Sequence, residues 1–516
     1  MVVESLQDHE ALARALMASD QWTQGGRKRR RIDTHISTVI LAGDVAIKFK
    51  KPLNLGFLDF VSLEARHETC KQELRLNQRL APQIYQAVVP ITGSLSAPEI
   101  NGQGPIIDWA VQMKRFDPDA LLSNPEQALE EALILELAET VARFHRDASS
   151  DCGAYGTAGQ SLAAMRGNFE VLRKYDPQSE ELVHLEQWTE AQFEKLRPLM
   201  ETRHSEGFVR ECHGDLHLGN IARVEGHPLV FDAIEFNPQF RWIDPISDIA
   251  FLSMDLHHRG HSELAYIFLN RYLQEGGDYP GIQLLCLFEV YRALVRAKVA
   301  AIRQSQPGVD KTQRFSLQQE IRGYLKLACR LTERKHRGIV ITHGVSGSGK
   351  SRVTSTLPGS IPCIRVRSDI ERKRLLNLPA RERATEAGGY SKQVTEQTYT
   401  RLEQLAELIS DAGFIAVVDA TFLSRQQRTR FRALADKLTV PFVIIDCDAP
   451  TEVLQERIEQ RQKKSGNVSD ADIEVMRRQQ RMREPLSAGE IRYRLVKPLD
   501  GGIALDQLKL RLALPG

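Results

Sequence analysis

Two hydrophobic periods alternate along the chain, and their order predicts its organisation. Leu6, Leu12, Leu16 and Met17 lie roughly on one face of a short helix within residues 1–24. Residues 36–41 and 45–49 are β-rich runs joined by Ala42-Gly43-Asp44, which predicts a hairpin turn. A helix is expected over 62–80, ended by Ala81-Pro82, and a strand over 106–114. Helical spacing then takes over. Ile134, Leu137, Val141 and Phe144 mark an amphipathic helix over 130–146, and further helices fall near 160–174, 178–200, 261–275, 281–305 and 315–333. Strands return at 338–342, 364–366, 414–418 and 441–446, alternating with helices near 391–411 and 424–437. That alternation is the crossover pattern of a parallel sheet. The pattern therefore predicts a strand-rich lobe over 1–115, a helical lobe over 116–335, and an α/β domain over 336–516, with the charged stretch Arg334-Lys335-His336-Arg337 as the junction.

Composition changes this picture little. A chain of 516 residues exceeds what one hydrophobic core usually supports, in agreement with several domains. Hydrophobic residues at 42% and charged residues at 26% are ordinary for a globular protein, and a net charge of +2 points to neither a strongly nucleic-acid-binding nor an acidic surface. The seven cysteines are dispersed with no C-x-x-C pair, which argues against a disulfide framework or a zinc site and fits a reducing compartment. The amino terminus lacks a signal-peptide pattern, and no run approaches the ~18 apolar residues of a membrane span. A cytoplasmic location with no membrane partner is expected.

Candidate chemistry is concentrated at two places. The first is His213-Gly214-Asp215-Leu216-His217-Leu218-Gly219-Asn220. An Asp followed five positions later by an Asn supplies a carboxylate to accept a hydroxyl proton and an amide oxygen to hold a metal, the spacing of a phosphoryl-transfer loop. Asp232 ends a short apolar run, where a second metal ligand would sit. Lys48 follows Val45-Ala46-Ile47 on a predicted strand, the arrangement that pairs a lysine with nucleotide phosphates. On four residues alone, an edge lysine facing water would be the better reading; the downstream loop reverses that. One of Glu64, Glu68 and Glu73 should pair with Lys48. Glu73 is preferred because it lies one turn before the apolar end of its helix, with Glu64 the alternative. Asp248 is expected to brace the loop and His145 to be structural.

The second place is Gly344-Val345-Ser346-Gly347-Ser348-Gly349-Lys350-Ser351, which fits G-x-x-x-x-G-K-[ST] between a predicted strand and helix. Its backbone N–H groups would wrap phosphates, Lys350 would reach the β/γ oxygens, and the Ser351 hydroxyl would bind magnesium. Asp369, at the carboxyl end of the second strand, can meet an acceptor hydroxyl, and Asp419, ending the third, can hold the magnesium shell. Arg457 and Arg461 stand at i, i+4 and could close over ATP; pairing with Glu456 and Glu459 on a surface helix is the competing reading. The run Arg27–Arg31 could contact phosphates, although a solvated loop is the simpler account.

Lys48, the His213–Asn220 loop and Asp232 together resemble the aminoglycoside phosphotransferase branch of the protein-kinase-like fold, from about residue 30 to 330. The resemblance implies an α+β bilobal fold with Asp215 as base, Asn220 and Asp232 as metal ligands and Asp248 as brace. One departure is that Thr34-His35-Ile36-Ser37-Thr38, where the family's phosphate-covering loop should lie, has no glycine. Hydroxyls and backbone there are expected to substitute. Residues 337–516 resemble P-loop kinases related to gluconate kinase, polynucleotide 5′-kinase and zeta-toxin sugar kinases, through the Gly344–Ser351 loop, Ser368-Asp369-Ile370-Glu371-Arg372, Val418-Asp419-Ala420-Thr421 and Arg457 to Arg461. That resemblance implies that Asp369 deprotonates the acceptor and Arg372 holds it. The expectation is a bifunctional ATP- and Mg²⁺-dependent phosphotransferase acting on small-molecule hydroxyls. The alternatives are a single active P-loop kinase with a regulatory first domain, or a nucleic-acid end kinase or repair factor; nucleic acid is not the favoured partner. The sequence leaves both acceptors and the oligomeric state open.

Overall fold

The computed structural model describes residues 2–514 apart from 20–28, 57, 307, 335, 379–390, 463–471 and 500, and the side chains of 461 and 462. It divides into two compact units, one of residues 1–175 and 189–255 and one of residues 176–188 and 256–516.

In the first unit, α1 (Leu6–Ala18) is capped by Ser5 in a capping box with Asp8. Its buried stripe is His9, Leu12, Ala13 and Leu16, an i, i+3, i+4, i+7 set. Leu6, expected on that face, is 51% exposed, because the stripe begins one turn later. Strands β1 (Arg30–Asp33), β2 (Ser37–Ala42) and β3 (Val45–Lys50) precede α2 (Leu63–Asn77), and β4 (Tyr85–Ser94), β5 (Ala97–Ile100) and β6 (Ile106–Lys114) complete an antiparallel sheet in the order β1-β2-β3-β6-β4-β5. Leu12 and Leu16 pack with Ile40, Ile47 and Phe49 on one face. Leu41, Ala46 and Val111 pack with Cys70 of α2 on the other. Burial from both sides explains why β2 and β3 read as continuous apolar runs. Because side chains alternate along a strand, Lys48 and Lys50 share the face opposite Ile47 and Phe49.

The remaining elements to the end of α7 are α3 (Glu131–Asp147), α4 (Ala158–Tyr175), α5 (Glu180–Ser205), β7 (Arg210–Glu211), the hairpin β8 (Ile221–Val224) and β9 (His227–Val230), α6 (Pro238–Arg241), β10 (Trp242–Ile243) and α7 (Pro245–His258). The unit boundary falls inside α5 and α7.

In the second unit, α8 (Ser262–Gly276), α9 (Ile282–Gln304) and α10 (Lys311–Thr332) precede β11 (Gly338–His343). There follow α11 (Lys350–Thr356), β12 (Cys363–Arg367), α12 (Ser368–Leu375), α13 (Lys392–Asp411), β13 (Ile415–Asp419), α14 (Arg425–Leu438), β14 (Phe442–Cys447), α15 (Thr451–Gln462), α16 (Ile473–Met482), α17 (Ala488–Ile491), β15 (Arg494–Lys497) and α18 (Leu505–Arg511). The sheet is parallel throughout, in the order β12-β13-β11-β14-β15. Its fifth strand, β15, has no signature in the sequence pattern, since only Leu495 and Lys497 of its four residues are buried. Arg334 lies between α10 and β11. It is buried, with Nη1 on Glu289 Oε2 at 2.7 Å and its guanidinium over the Phe414 ring, so α9 and the residues after α10 belong to the packing of the α/β domain.

Candidate functional site

The first site is built on a loop held from below. Asp248, in the first turn of α7, accepts the backbone N–H of His213 and of Gly214, each at 2.9 Å, and lies 3.1 Å from His145 Nε2. His145, Cys212 and Asp248 are thus a buried cluster engaged in supporting the loop. Gly214 sits at φ +87°, and a Cβ there would come within 2.6 Å of the Phe240 carbonyl, so no larger residue fits. The loop then places Asn220 Nδ2 2.9 Å from both the carbonyl and Oδ2 of Asp215. With its N–H₂ engaged there, the Asn220 group offers Oδ1 as its acceptor. His217 takes the N–H of Gly219 on Nδ1 at 3.0 Å, and its Nε2 lies 3.3 Å from Asp215 Oδ2.

Lys48 meets this loop region through Asp232, with which it forms an ion pair, and its Nζ lies 2.7 Å from Glu73 Oε1. The structure therefore selects Glu73 over Glu64. Asp232 adopts φ +64°, a left-handed conformation that Asp tolerates better than bulkier residues. A second lysine, not singled out in the sequence, completes the arrangement. Lys50 Nζ lies 2.6 Å from Glu73 Oε2 and pairs with Glu235, with Lys50 and Glu73 fully buried. Burial opposes the charge of Glu73, but Lys48 and Lys50 outweigh it and hold its pKa down at about 2. Burial raises the pKa of Glu235, against the pull of Lys50. The i, i+2 spacing of Lys48 and Lys50 was the signal available in the sequence.

Glu211, just before the loop, anchors α2. Its carboxylate receives Arg75 at 2.7 and 2.9 Å and Arg241 at 3.1 Å. Burial again opposes the charge, and the arginines hold its pKa at about 2. For Glu73 and Glu211 the folded pKa lies below the ordinary 4.5, so their stabilisation is present above pH 4.5 and is lost as pH falls toward 2. Urea titrations of the full chain between pH 6 and 2 are expected to show the first unit losing stability through that window, by on the order of 3 kcal/mol per carboxylate at most. Glu235, shifted upward, reduces the net loss. Unchanged stability down to pH 2.5 would remove the assignment.

The β1–β2 turn engages two of the three hydroxyls of residues 34–38 internally. Thr34 Oγ1 is engaged with Ser37, accepting its N–H at 3.0 Å and donating to its carbonyl at 3.1 Å, and Thr38 Oγ1 donates to Asp33 at 2.7 Å. These two hydroxyls close the turn, while Ser37 Oγ is buried with no hydrogen-bond partner among the described residues. Of the basic run, Arg27 and Lys28 lie outside the described residues, and Arg31 is paired with Glu10 and Asp33.

The second site is a cavity of about 560 Å³ that brings together Lys350, Ser351, Asp369, Arg372, Asp419 and Arg457. The Gly344–Ser351 loop follows β11. Gly344 at φ +140° leaves no room for a Cβ, which would meet the Cys447 carbonyl at 2.2 Å. The loop is thus a backbone cradle, and the Ser348 hydroxyl inside it is buried without a hydrogen-bond partner. Those features fit a phosphate chain. Lys350 Nζ donates to the Val345 carbonyl at 2.7 Å, within reach of the same loop. Asp419 Oδ2 accepts Thr354 Oγ1 at 3.0 Å and pairs with Arg365 at 2.5 Å. Burial works against its charge, and Arg365 and Arg367 overcome that and lower its pKa. Asp369 pairs with Arg367 at 2.7 Å. Arg457 lies over the loop, Nη1 3.5 Å from the Gly347 carbonyl; the side chain of Arg461 lies outside the described residues. Sequence reasoning missed Arg365 and also Gln479, which accepts the Ser346 N–H at 2.7 Å. Two arginines at i, i+2 in the apolar strand Cys363–Arg367 were the available sign.

The uncharacterized proteins Rv2004c of Mycobacterium tuberculosis and Mb2027c of Mycobacterium bovis are each 30% identical to this chain over 454 residues, which cover 86% of it and 88% of them. This chain belongs to their family. Residues 57–285 match the Phosphotransferase enzyme family and residues 339–486 an AAA domain, so this family member joins a phosphotransferase-type domain to a P-loop domain. Among solved structures, choline kinase from Cryptosporidium parvum aligns at 10% identity over 63% of this chain and 96% of its own (TM-score 0.39). A gluconokinase from Sinorhizobium meliloti aligns at 17% over 35% and 91% (TM-score 0.25). Among the described residues no helix is long and apolar enough to cross a membrane.

Proposed function

We propose that this chain is a bifunctional ATP-dependent phosphotransferase, passing the γ-phosphate of ATP to a small-molecule hydroxyl at each of two sites. The observation that carries this reading is that each compact unit by itself gathers a phosphate-directed lysine, a candidate base and candidate metal ligands. When bound, ATP with Mg²⁺ supplies the transferable phosphoryl group and neutralises its charge. In the first unit Lys48, fixed by Glu73, holds phosphate oxygens, Asn220 and Asp232 would hold the metal, and Asp215 orients the acceptor hydroxyl and takes its proton. In the second unit the Gly344–Ser351 loop and Lys350 hold phosphates, Ser351 and Asp419 would hold the metal, Asp369 takes the hydroxyl proton, Arg372 grips the acceptor, and Arg457 offsets charge as it develops. Acceptors are small molecules in the cytoplasm; nucleic acid is less favoured because Arg31 is already paired within the fold.

A second reading, in which only the P-loop site turns over and the first unit binds nucleotide as a regulator, is supported by the internally engaged hydroxyls of the β1–β2 turn. Point variants in the full chain separate the two, because a cut near residue 335 would divide the second unit. Lys350→Ala is expected to weaken AMP-PNP·Mg²⁺ at the P-loop site by roughly 10–100-fold, the effect of losing a charge-assisted bond of about 1.5–3 kcal/mol. Calorimetry on wild type and variant reads this directly. Unchanged affinities for both binding events in the variant would reject Lys350 as a phosphate-holding residue of this cavity. An ATP-consumption screen over sugars, nucleosides, amino alcohols and RNA ends then assigns acceptors, each activity being lost with Lys350→Ala or with Asp215→Asn.

A further inference from the structure

Strand β12 lies at the edge of the parallel sheet, and an edge strand presents backbone groups with no strand partner on one side. Here α8 supplies a partner. Asn270 Nδ2 donates to the Cys363 carbonyl at 2.8 Å, and Asn270 Oδ1 accepts the N–H of Arg365 at 2.7 Å. One side-chain amide thus makes the pair of bonds that a neighbouring strand would make. Tyr279 adds its hydroxyl to the Arg365 carbonyl at 3.3 Å. Residue 365 is therefore held at both its backbone N–H and its C=O by residues of the 262–281 segment. Beyond the strand, Arg374 of α12 bonds the Gln274 carbonyl, so the same segment grips the chain on both sides of Asp369 and Arg372.

The side chain of Arg365 points back into the site. Its Nη2 lies 2.5 Å from Asp419 Oδ2 and 3.3 Å from the Ser351 carbonyl. One guanidinium thus ties the end of β13 to the first turn of α11, the two places that carry the candidate metal ligands. Both bonds leave the same nitrogen, whose hydrogens lie in the plane of the guanidinium and so fix the directions of the two acceptors.

We propose that Arg365 is a positioning residue of the P-loop site, setting Ser351 against Asp419, and that Asn270 and Tyr279 set Arg365. This rests on the reading of that cavity as an ATP·Mg²⁺ site. It makes α8 and the turn after it an integral part of the P-loop engine, although no P-loop motif includes them.

The test uses the full chain with Asn270→Leu, Tyr279→Phe, Arg365→Lys and the double variant Asn270→Leu/Arg365→Lys. Two readouts are taken: hydrogen exchange of the Arg365 amide, and the Mg²⁺-dependent gain in the Lys350-dependent component of AMP-PNP affinity. Asn270→Leu is expected to speed exchange of that amide at least about tenfold, the scale of one or two lost hydrogen bonds, with a smaller effect for Tyr279→Phe. Both variants and Arg365→Lys are expected to reduce the Mg²⁺-dependent gain, and the double variant to lose no more than the worse single one, as members of one chain of contacts do. An Arg365 amide that exchanges as in wild type overturns the proposal. So does faster exchange with the Mg²⁺-dependent gain intact, or additive losses in the double variant. Tyr279→Phe, which removes one hydroxyl and keeps the ring, decides the matter if Asn270→Leu unfolds the sheet. If wild-type AMP-PNP affinity does not depend on Lys350 at all, the nucleotide reading of the cavity fails, which is a separate result.

Discussion

Asp215→Asn is expected to lower turnover at the first site by roughly 10²–10⁴-fold, the range for loss of a general base, with the P-loop activity retained. The geometry gives the reason. The Asp215 carboxylate is oriented by Asn220 Nδ2 at 2.9 Å and by His217 at 3.3 Å, so its direction is fixed before a substrate arrives. An amide at this position keeps the size and one carbonyl oxygen but cannot take up a proton at neutral pH. Positioning by Lys48 and the candidate metal ligands would persist, which is why binding of AMP-PNP should change far less than turnover. The measurement is ADP formation with a first-site acceptor from the screen, run on wild type, Asp215→Asn and Lys350→Ala. Wild-type-like turnover by Asp215→Asn would refute the role of this carboxylate. No first-site acceptor, together with nucleotide binding in the first unit, would favour the regulatory reading.

Much of this was legible in the sequence because motifs of local spacing carry it. His213 to Asn220 and Gly344 to Ser351 each place several polar groups on one short loop, so residue order alone nearly fixes their geometry. Helices α1 to α5, α8 to α10, α13 and α14 and four of the five strands of the parallel sheet, β11 to β14, were legible from apolar periodicity, since burial on one or both faces imposes it. What the sequence hid are contacts between distant segments. Glu235 and Lys50 are 185 positions apart, and Arg365 reaches Asp419 across 54. A buried ion pair looks, residue by residue, like two surface charges. Asn270 was hidden for a similar reason: its amide substitutes for a strand, and nothing in the pattern of a helix announces that. Grouping α8 to α10 with the P-loop domain likewise depends on packing, such as the buried pair of Arg334 with Glu289.

The buried charges around Glu73 lead to the second large effect. Lys50→Met is expected to destabilise the first unit by about 3–5 kcal/mol, because it leaves Glu235 without its partner and Glu73 with one lysine in place of two. Lys50 is fully buried and Glu235 nearly so, so water cannot take over their solvation. The pair itself need not be strongly stabilising, since both ions were taken out of water to form it. Replacing both, Lys50→Met with Glu235→Leu, should therefore recover most of the loss. Urea denaturation followed by hydrogen exchange in β3 and α2 would read the first unit separately from the second. A double variant as unstable as Lys50→Met would show that Glu235 is not the principal partner. A single variant within about 0.5 kcal/mol of wild type would show that Lys50 behaves as a surface residue, against its burial. The functional consequence follows from the shared carboxylate. Glu73 holds Lys48 with one oxygen and Lys50 with the other, so the rigidity of Lys48 depends on Lys50 behind it. The recovered double variant should then fold but hold AMP-PNP in the first unit less tightly than wild type, because Glu73 has lost the cation that fixed its second oxygen.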